Sequence, residues 1–253
     1  MKALILAAGF GKRLMPLTKN NPKCMVEYKN KKIIDYIFEA LKENNIHEIA
    51  VVGGYLSNVL HDYLKSKHKI KYFYKNEEFS TTNMVYTLFS ALDFMKLCIE
   101  EKSDLIISYS DIVYFKNTIK AILDSNYEIS IVVDKKWKAL WSERFSNPLE
   151  DAESLKIENN KIIQIGKKTN NYNDIQGQYI GLVKISHKFL ENFIDYYYRL
   201  DRNKFYDGVS FNNMYMTSFI QELIDKFNNV FAIEIFGNWI EIDSINDLQI
   251  DLK

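Results

Sequence analysis

The feature that most constrains the fold of this chain is its opening, where an apolar run passes directly into a glycine loop that carries cations. Residues 3–8 (ALILAA) are continuously apolar, the pattern of a strand buried on both faces of a parallel sheet. Gly9 and Gly11 flank Phe10, so the strand ends in a loop that can take positive φ and bring its backbone close to a ligand. Lys12 and Arg13 follow, and Pro16 and Pro22 stiffen the path to a third cation, Lys23. Backbone N–H groups in such a loop form an anion-binding concavity, to which the side chains add fixed positive charge. The run from Leu6 through Ala7, Ala8, Gly9, Phe10, Gly11, Lys12 and Arg13 to Lys23 therefore reads as a triphosphate cradle. It is neither of the familiar phosphate loops: the G-x-x-x-x-G-K-[ST] spacing is absent, and Leu14 stands where the dinucleotide fingerprint has its third glycine. A bare G-x-G is, on its own, equally a tight turn.

The next segments repeat a strand–helix rhythm. Apolar positions in 33–44 fall on a helical stripe, 49–52 is a second buried strand closed by Gly53 and Gly54, 56–64 is a helix and 70–74 a third strand. This order predicts a parallel sheet covered by helices on both faces, with ligands at the carboxyl ends of its strands. The polar stretch 76–83 ends in TTN, with Thr81 or Thr82 as the expected N-cap of one helix over 84–101. Residues 105–108 form a strand that runs into Tyr109-Ser110-Asp111, which places an aspartate at a strand's carboxyl end, where a metal ligand is expected. A fifth strand, 129–133, ends in Asp134-Lys135-Lys136-Trp137.

From Trp137 the texture changes. Two short β-like runs, 154–158 and 161–166, meet at Asn159-Asn160 and predict an inserted hairpin carrying the acceptor side of the site. Residues 178–185 form a return strand in which Gly181 would admit a ligand to the backbone. Helices are expected at 187–199 and 215–227, then a strand at 230–235. In WIEID, 239–243, alternation puts Glu241 and Asp243 on one face. They form either half of a metal site or a solvated strand edge, with Ser244 capping a last helix over 245–252. The whole is expected to be one domain, 1–253, with a nucleotide-binding half to 134 and an acceptor-binding half from 135.

Charge narrows the function further. With 33 basic and 33 acidic residues, there is no surplus to hold nucleic acid or an anionic membrane, so the positive charge that matters is local. Cys24 and Cys98 match no metal spacing and read as reduced thiols. No apolar run reaches the ~20 residues that span a bilayer, and Met1 leads straight into a strand, so a cytoplasmic protein is expected. The histidines at 47, 61, 68 and 187 form no metal-binding pair.

Two stretches far apart, LAAGFGKRLMPLTKNNPK (6–23) and WIEIDSINDL (239–248), resemble the signatures of the nucleotidyltransferases that join an NTP to a phosphorylated small molecule. That family includes sugar-phosphate nucleotidylyltransferases and phosphocholine cytidylyltransferases. The resemblance implies a Rossmann-like α/β nucleotide-diphospho-sugar transferase fold, with a mostly parallel mixed central sheet, helices on both faces and a small inserted hairpin. It implies Mg²⁺ held by Asp111, Asp243 and Glu241, with Lys23, Arg13 and Asp111 as the catalytic set, and adds Asn83 and Ser110 to the nucleotide-binding residues. Arg13 suits β/γ-phosphate oxygens, and Lys23 the charge around the reacting α-phosphate. Lys12 is a departure, since a small residue is commoner there; it either adds a phosphate contact or faces solvent.

The segments NPKCMVEY, TTNMVYT, NPLEDAE, YIGL and NMYMTSF are most similar to the cytidylyltransferase branch, in particular to members acting on phosphoglutamine in capsular phosphoramidate biosynthesis. The implied reaction transfers CMP from CTP to L-glutamine phosphate, giving CDP-L-glutamine and pyrophosphate, with the protein a monomer or homodimer. Phosphocholine is the rival acceptor and a sugar 1-phosphate the third; a nucleotide sensor without turnover is the alternative of another class. For phosphoglutamine, Lys135 or Arg144 would meet the carboxylate and Glu150 or Asp151 the ammonium, with Tyr179 and Gly181 lining the pocket. Trp137 and Trp141 either bind a cationic headgroup through their rings or pack in the core.

Overall fold

A computed structural model describes residues 1–252. In chain order the elements are β1 (Lys2–Ala7), β2 (Glu27–Tyr28), β3 (Lys31–Lys32), α1 (Ile33–Lys42), β4 (Ile49–Gly53), α2 (Ser57–His68), β5 (Tyr72–Lys75), α3 (Met84–Phe89), α4 (Leu92–Glu100), β6 (Leu105–Tyr109) and β7 (Ile112–Val113). They continue with α5 (Lys116–Leu123), β8 (Ile129–Asp134), α6 (Trp137–Arg144), β9 (Glu153–Glu158), β10 (Lys161–Lys168), β11 (Gln178–Ile185), α7 (His187–Arg199), α8 (Met216–Phe227), β12 (Val230–Ile235) and β13 (Ile240–Glu241).

The apolar opening run becomes a central strand because both its edges and both its faces are covered. β1 pairs in parallel with β4 on one side and β6 on the other, so Ala3 lies opposite both Ile49 and Ile106. Its side chains alternate between the two layers of core. Leu4 and Leu6 pack with Leu88, Phe94, Phe193 and Phe219, while Ala3, Ile5 and Ala7 pack with Ile37, Leu41, Leu60 and Ile119. The full sheet has the order β5-β4-β1-β6-β11-β8-β12-β10-β9. Only β11 and β10 run against the rest, which makes the sheet mixed but mostly parallel. Helices lie on both faces, as the sequence predicts. Among the described residues, no helix is long and apolar enough to cross a membrane.

The helix over 84–101, its cap and the carboxyl-terminal helix differ from the sequence reading for physical causes, while the expected hairpin forms. The single helix expected over 84–101 is two, α3 and α4: Ser90 donates its hydroxyl back to the Tyr86 carbonyl, and Ala91 leaves helical angles at φ −106°, ψ 33°. The cap of α3 is Asn83, whose Oδ1 accepts the Met84 N–H at 2.8 Å; Thr82 turns its hydroxyl to the Glu78 carbonyl instead. The hairpin β9–β10 forms with Asn159 and Asn160 both at positive φ, the conformation of a two-residue turn between twisted strands. It extends the edge of the main sheet through β12, where the Ala232 N–H donates to the Asn160 carbonyl. At the carboxyl end, the expected helix is reduced to a 3₁₀ turn, Asn246–Gln249, whose N-cap is Ile245 rather than Ser244, and Asp247 Oδ2 accepts the backbone N–H groups of Asp243 and Ser244.

Helices α1 and α2 are joined through a buried carboxylate, Asp35. It accepts from Tyr63 Oη and Lys67 Nζ, both at 2.7 Å, and His68 Nε2 lies 2.7 Å from its other oxygen. Burial alone would raise its pKa, but the Lys67, His68 and Tyr63 contacts outweigh that and lower it. A carboxylate with a lowered folded-state pKa stabilises the fold above the ordinary carboxyl value, ~3.9, and that stability fades as pH falls through the lower folded value. Asp35→Asn is therefore expected to lose about 1–3 kcal/mol at neutral pH, with the gap to the parent narrowing below about pH 4. Urea denaturation across pH checks this, and a gap that does not change with pH contradicts it.

Candidate active site

The site is assembled from three segments that the fold brings to the carboxyl end of β1 and β6. The first is the loop after β1. Gly11 has φ 67°, and a Cβ there would lie 2.9 Å from the Lys23 Cβ, so the glycine is what lets the loop close against Lys23. Thr18 Oγ1 donates to the Gly11 carbonyl at 2.9 Å, and Leu14 anchors the loop in a small core with Val26 and Ile240. Lys23 then opens a 3₁₀ turn whose next residues, Cys24 and Met25, are buried, which fixes the root of its side chain.

The second segment is Tyr109-Ser110-Asp111 at the end of β6. The third is the tail strand β13, which pairs antiparallel with β7 so that Glu241 lies opposite Ile112, and the Ile242 N–H donates to the Asp111 carbonyl at 2.8 Å. That short ribbon places the tail carboxylates beside Asp111. One oxygen from each of Asp111, Glu241 and Asp243 falls within 4.8 Å of the others.

Cations surround this acidic trio. Lys23 Nζ is 2.6 Å from Asp111 Oδ2 and 2.5 Å from Asp243 Oδ1; Arg13 Nη2 is 3.0 Å from the same Asp243 oxygen. Behind them lies Arg144, its side chain 1% exposed, with one nitrogen each on Asp247, Glu241 and Asp243 at 3.0–3.2 Å. Burial would lower the Lys23 pKa, but Asp111, Asp243 and Glu241 outweigh it and raise it, so the ammonium stays charged. Burial likewise opposes ionisation of Asp243, and Lys23 more than offsets that, lowering its pKa. Glu241 goes the other way: burial, then the charge of Asp243, pushes it up. Asp111 Oδ1 is buried without a hydrogen-bond partner.

Two clefts meet at the trio, sharing the side chains of Met84 and Tyr109. The first is bordered by Leu6, Ala7, Ala8, Gly9, Lys23, Asn83, Ser110 and Asp111, and so brings together most of the expected nucleotide-binding residues. Phe10, Gly11 and Lys12 lie outside it: the Phe10 ring packs on Tyr55, and Lys12 sits over that ring facing solvent. Asn83 borders the cleft with both ends of its amide engaged, by the Met84 N–H and by the Asn213 carbonyl. The second cleft is bordered by Arg13, Trp141, Asp151, Tyr179, Gly181, Glu241 and Asp243.

Four of the residues assigned to the acceptor from sequence are elsewhere. Lys135 pairs with Glu234 at 3.1 Å, and Glu150 lies exposed on a surface turn. Trp137 is buried in the core against Trp141 and Tyr172. Arg144 is spent on the carboxylates behind the site and borders neither cleft. Gly181 does border the second cleft, but at φ 86° an added Cβ would lie 2.6 Å from the Tyr109 ring, so its glycine serves ring packing. Trp141 is half of each sequence alternative: it is buried, yet it edges the cleft and donates Nε1–H to Asp151 Oδ2 at 3.1 Å. The two thiols stay inert, since burial pushes both Cys24 and Cys98 up to about 12.

The residue that sequence reasoning missed is Glu153, which opens β9 and borders the second cleft. Its only signal was membership of the acidic run 150–153, where three acids compete for one role. Its backbone is pinned by Gln178, which accepts the Glu153 N–H and donates to its carbonyl. Burial first, then the charges of Asp151 and Asp207, push its carboxyl up to about 7 against the opposing effect of Lys168.

The set combines a glycine loop with cations, an acidic trio, and a cleft on either side, the groups that nucleotidyl transfer calls for. The chain belongs to the nucleotidyl transferase family, whose profile matches residues 2–138. It is 59% identical to the CTP:phosphoglutamine cytidylyltransferase of Campylobacter jejuni over the full length of both chains. The choline-phosphate cytidylyltransferase of Streptococcus pneumoniae is 36% identical over 131 residues, about half of each protein. The solved structure of the CTP:phosphocholine cytidylyltransferase from Streptococcus pneumoniae covers 97% of this chain and 95% of its own at a TM-score of 0.71 and 27% identity. The inositol-1-phosphate CTP transferase of T. maritima, 20% identical, shares the fold at a TM-score of 0.74, over 97% of this chain and 90% of its own.

An acid whose folded-state pKa is raised weakens the fold as pH climbs from the ordinary glutamate value, ~4.3, through the folded value. For Glu153 that folded value is about 7. Glu153→Gln is therefore expected to melt with the parent near pH 4 and at a higher temperature than the parent above about pH 7. Differential scanning fluorimetry over this range is the check; parallel pH profiles contradict it.

Proposed function

We propose that this protein transfers CMP from CTP to the phosphate of L-glutamine phosphate, releasing pyrophosphate, with Mg²⁺ held by Asp111, Asp243 and Glu241. The observation that carries the reading is the acidic trio with Lys23 between two of its members, at the junction of two clefts. The 59% identity to a phosphoglutamine cytidylyltransferase over the full chain, against 36% over 131 residues for a choline-phosphate enzyme, favours phosphoglutamine over phosphocholine.

The donor set fits a hard divalent cation: carboxylate oxygens only, one of them buried and without a partner. When bound, such an ion neutralises charge on the α-phosphate and orients it. The chain's own residues do the rest. An acceptor phosphate oxygen attacks the α-phosphorus in line; its P–O bond forms as the bond to the β-phosphate oxygen breaks, and the electron pair leaves with pyrophosphate. The acceptor phosphate is already anionic, so no strong general base is needed, and rate comes from positioning and charge. Arg13, exposed at the mouth, takes β/γ-phosphate oxygens with its planar fork, and Lys23 meets the α-phosphate and the incoming phosphate.

The first cleft, bordered only by residues between 6 and 111, fits the nucleotide, and the second, drawn mainly from 141–243, fits the acceptor. This supports reading 1–134 as the nucleotide half and 135–253 as the acceptor half of one domain. In the second cleft, Asp151 and Glu153 beside Trp141, Trp239 and Tyr179 offer a carboxylate and aromatic faces to an α-ammonium.

Pyrophosphate release with Mg²⁺, each of four NTPs and a panel of acceptors tests the assignment. Release with CTP and L-glutamine phosphate is expected; release only with phosphocholine or a sugar 1-phosphate contradicts the acceptor, and nucleotide binding without release contradicts the enzyme. Alanine at Lys23, Asp111 or Asp243 is expected to lower kcat about 100-fold or more, ~2.7–4 kcal/mol, in folded protein. Because the Lys23 ammonium lies where a divalent ion would be held, Lys23→Met is expected to bind Mn²⁺ more tightly than the parent in the absence of CTP, while turnover is lost. Electron paramagnetic resonance titration measures this, and equal or weaker Mn²⁺ binding runs against it.

A further inference from the structure

We propose that Arg144, which touches neither cleft, is the positioning residue that sets the aim and spacing of the tail carboxylates; the proposal rests on the metal-dependent transfer put forward above. Its three guanidinium nitrogens are divided among three carboxylates: Nε to Asp247 Oδ1 at 3.1 Å, Nη1 to Glu241 Oε2 at 3.0 Å and Nη2 to Asp243 Oδ2 at 3.2 Å. Each tail carboxylate thus gives one oxygen to the arginine. The other Asp243 oxygen is the one that meets Lys23 and Arg13. The arginine thus leaves Asp243 Oδ1 to the site, while the remaining Asp247 oxygen is taken by the backbone N–H groups of Asp243 and Ser244.

Glu241, which ends β13, and Asp243, just beyond it, are like charges brought close together, so they repel and splay unless something holds them. A planar guanidinium bridging both fixes the two carboxylate planes relative to each other, which the single point charge of a lysine cannot do. The guanidinium is itself fixed. The rings of Trp141 and Phe145 lie 5.2 and 5.1 Å from its carbon, and Asp247 anchors Nε. Asp247 also accepts from the backbone N–H groups of Asp243 and Ser244 and from the Ser244 hydroxyl, which ties the arginine to the turn that carries Asp243. Arg144 ends α6, so a helix of the acceptor half holds ligands that serve the nucleotide half.

Partners that orient metal ligands from behind typically contribute 10–100-fold in affinity or rate. Two readouts separate positioning from plain structural support. Mn²⁺ affinity is measured by electron paramagnetic resonance in the Lys23→Met background, where no ammonium competes, with and without Arg144→Lys. Steady-state kinetics are measured on Arg144→Lys alone. The expected result is a 10–100-fold loss of Mn²⁺ affinity and a similar fall in kcat, with KM for CTP near the parent value. Folded Arg144→Lys protein with parental Mn²⁺ affinity and kcat overturns the proposal. If the lysine variant fails to fold, Asp247→Asn is read in the same way. It leaves both metal-facing carboxylates in place but frees one arm of the guanidinium, and a smaller loss in both readouts is expected. Parental values there also overturn the proposal. Absence of Mn²⁺ binding in Lys23→Met itself overturns it together with the divalent-ion reading, whereas equal binding in the single and double variants overturns the role of Arg144 alone.

Discussion

The structure depends on a short piece of backbone pairing between two parts of the chain that are remote in sequence. β13 lies antiparallel to β7, and the Ile242 N–H reaches the Asp111 carbonyl. Without that ribbon, the loop after β1 and the strand end at Asp111 would form half a site, a cationic cradle with one carboxylate. With it, two further carboxylates arrive on the face that the loop already covers. The ribbon is held by packing rather than by its own few hydrogen bonds: Val113, Ile240 and Ile242 are buried with Leu14 and Val26 in the small core under the loop. The same residues that anchor the cradle therefore anchor the tail, and the two halves of the site are fixed to one another.

The electrostatics follow from that convergence. Four carboxylates (Asp111, Glu241, Asp243 and Asp247) face three cationic side chains, with Lys23 and Arg13 on the open side and Arg144 buried behind. Buried charges are costly unless each is paired, and removal of any one partner leaves another uncompensated. The division of labour is spatial. Arg144 is enclosed among its carboxylates with its side chain 1% exposed, whereas Arg13 meets Asp243 from the open side with its side chain 64% exposed. A triphosphate that recruits Arg13 and Lys23 would leave the acidic trio short of positive charge, which is the condition under which a divalent ion is held most firmly.

Much of this was legible in the sequence, for identifiable reasons. The strand–loop opening, the aspartate after β6 and the same-face pair Glu241 and Asp243 could be read because period-two alternation and glycine chemistry are local properties. The acceptor side was not local. Lys135, Glu150 and Trp137 have the right chemistry, and only packing reveals that Lys135 and Glu150 lie on other surfaces and Trp137 in the core. Arg144 looked like a substrate cation because a sequence shows its charge and not its burial. Glu153 was hidden among neighbouring acids, since which of them faces a cleft is settled by how β9 joins the sheet. The break between α3 and α4 turned on a serine hydroxyl returning to its own helix, a choice that helical periodicity does not record.

The most direct test of the convergence is a crystal soaked with Mn²⁺ and CTP and measured at a wavelength where manganese scatters anomalously. The account predicts a strong anomalous peak bound jointly by Asp111 and Asp243, with Lys23 swung from between them onto phosphate. A manganese peak that touches only one of the two carboxylates, or lies away from both while CTP occupies the loop at 9–13, would contradict it.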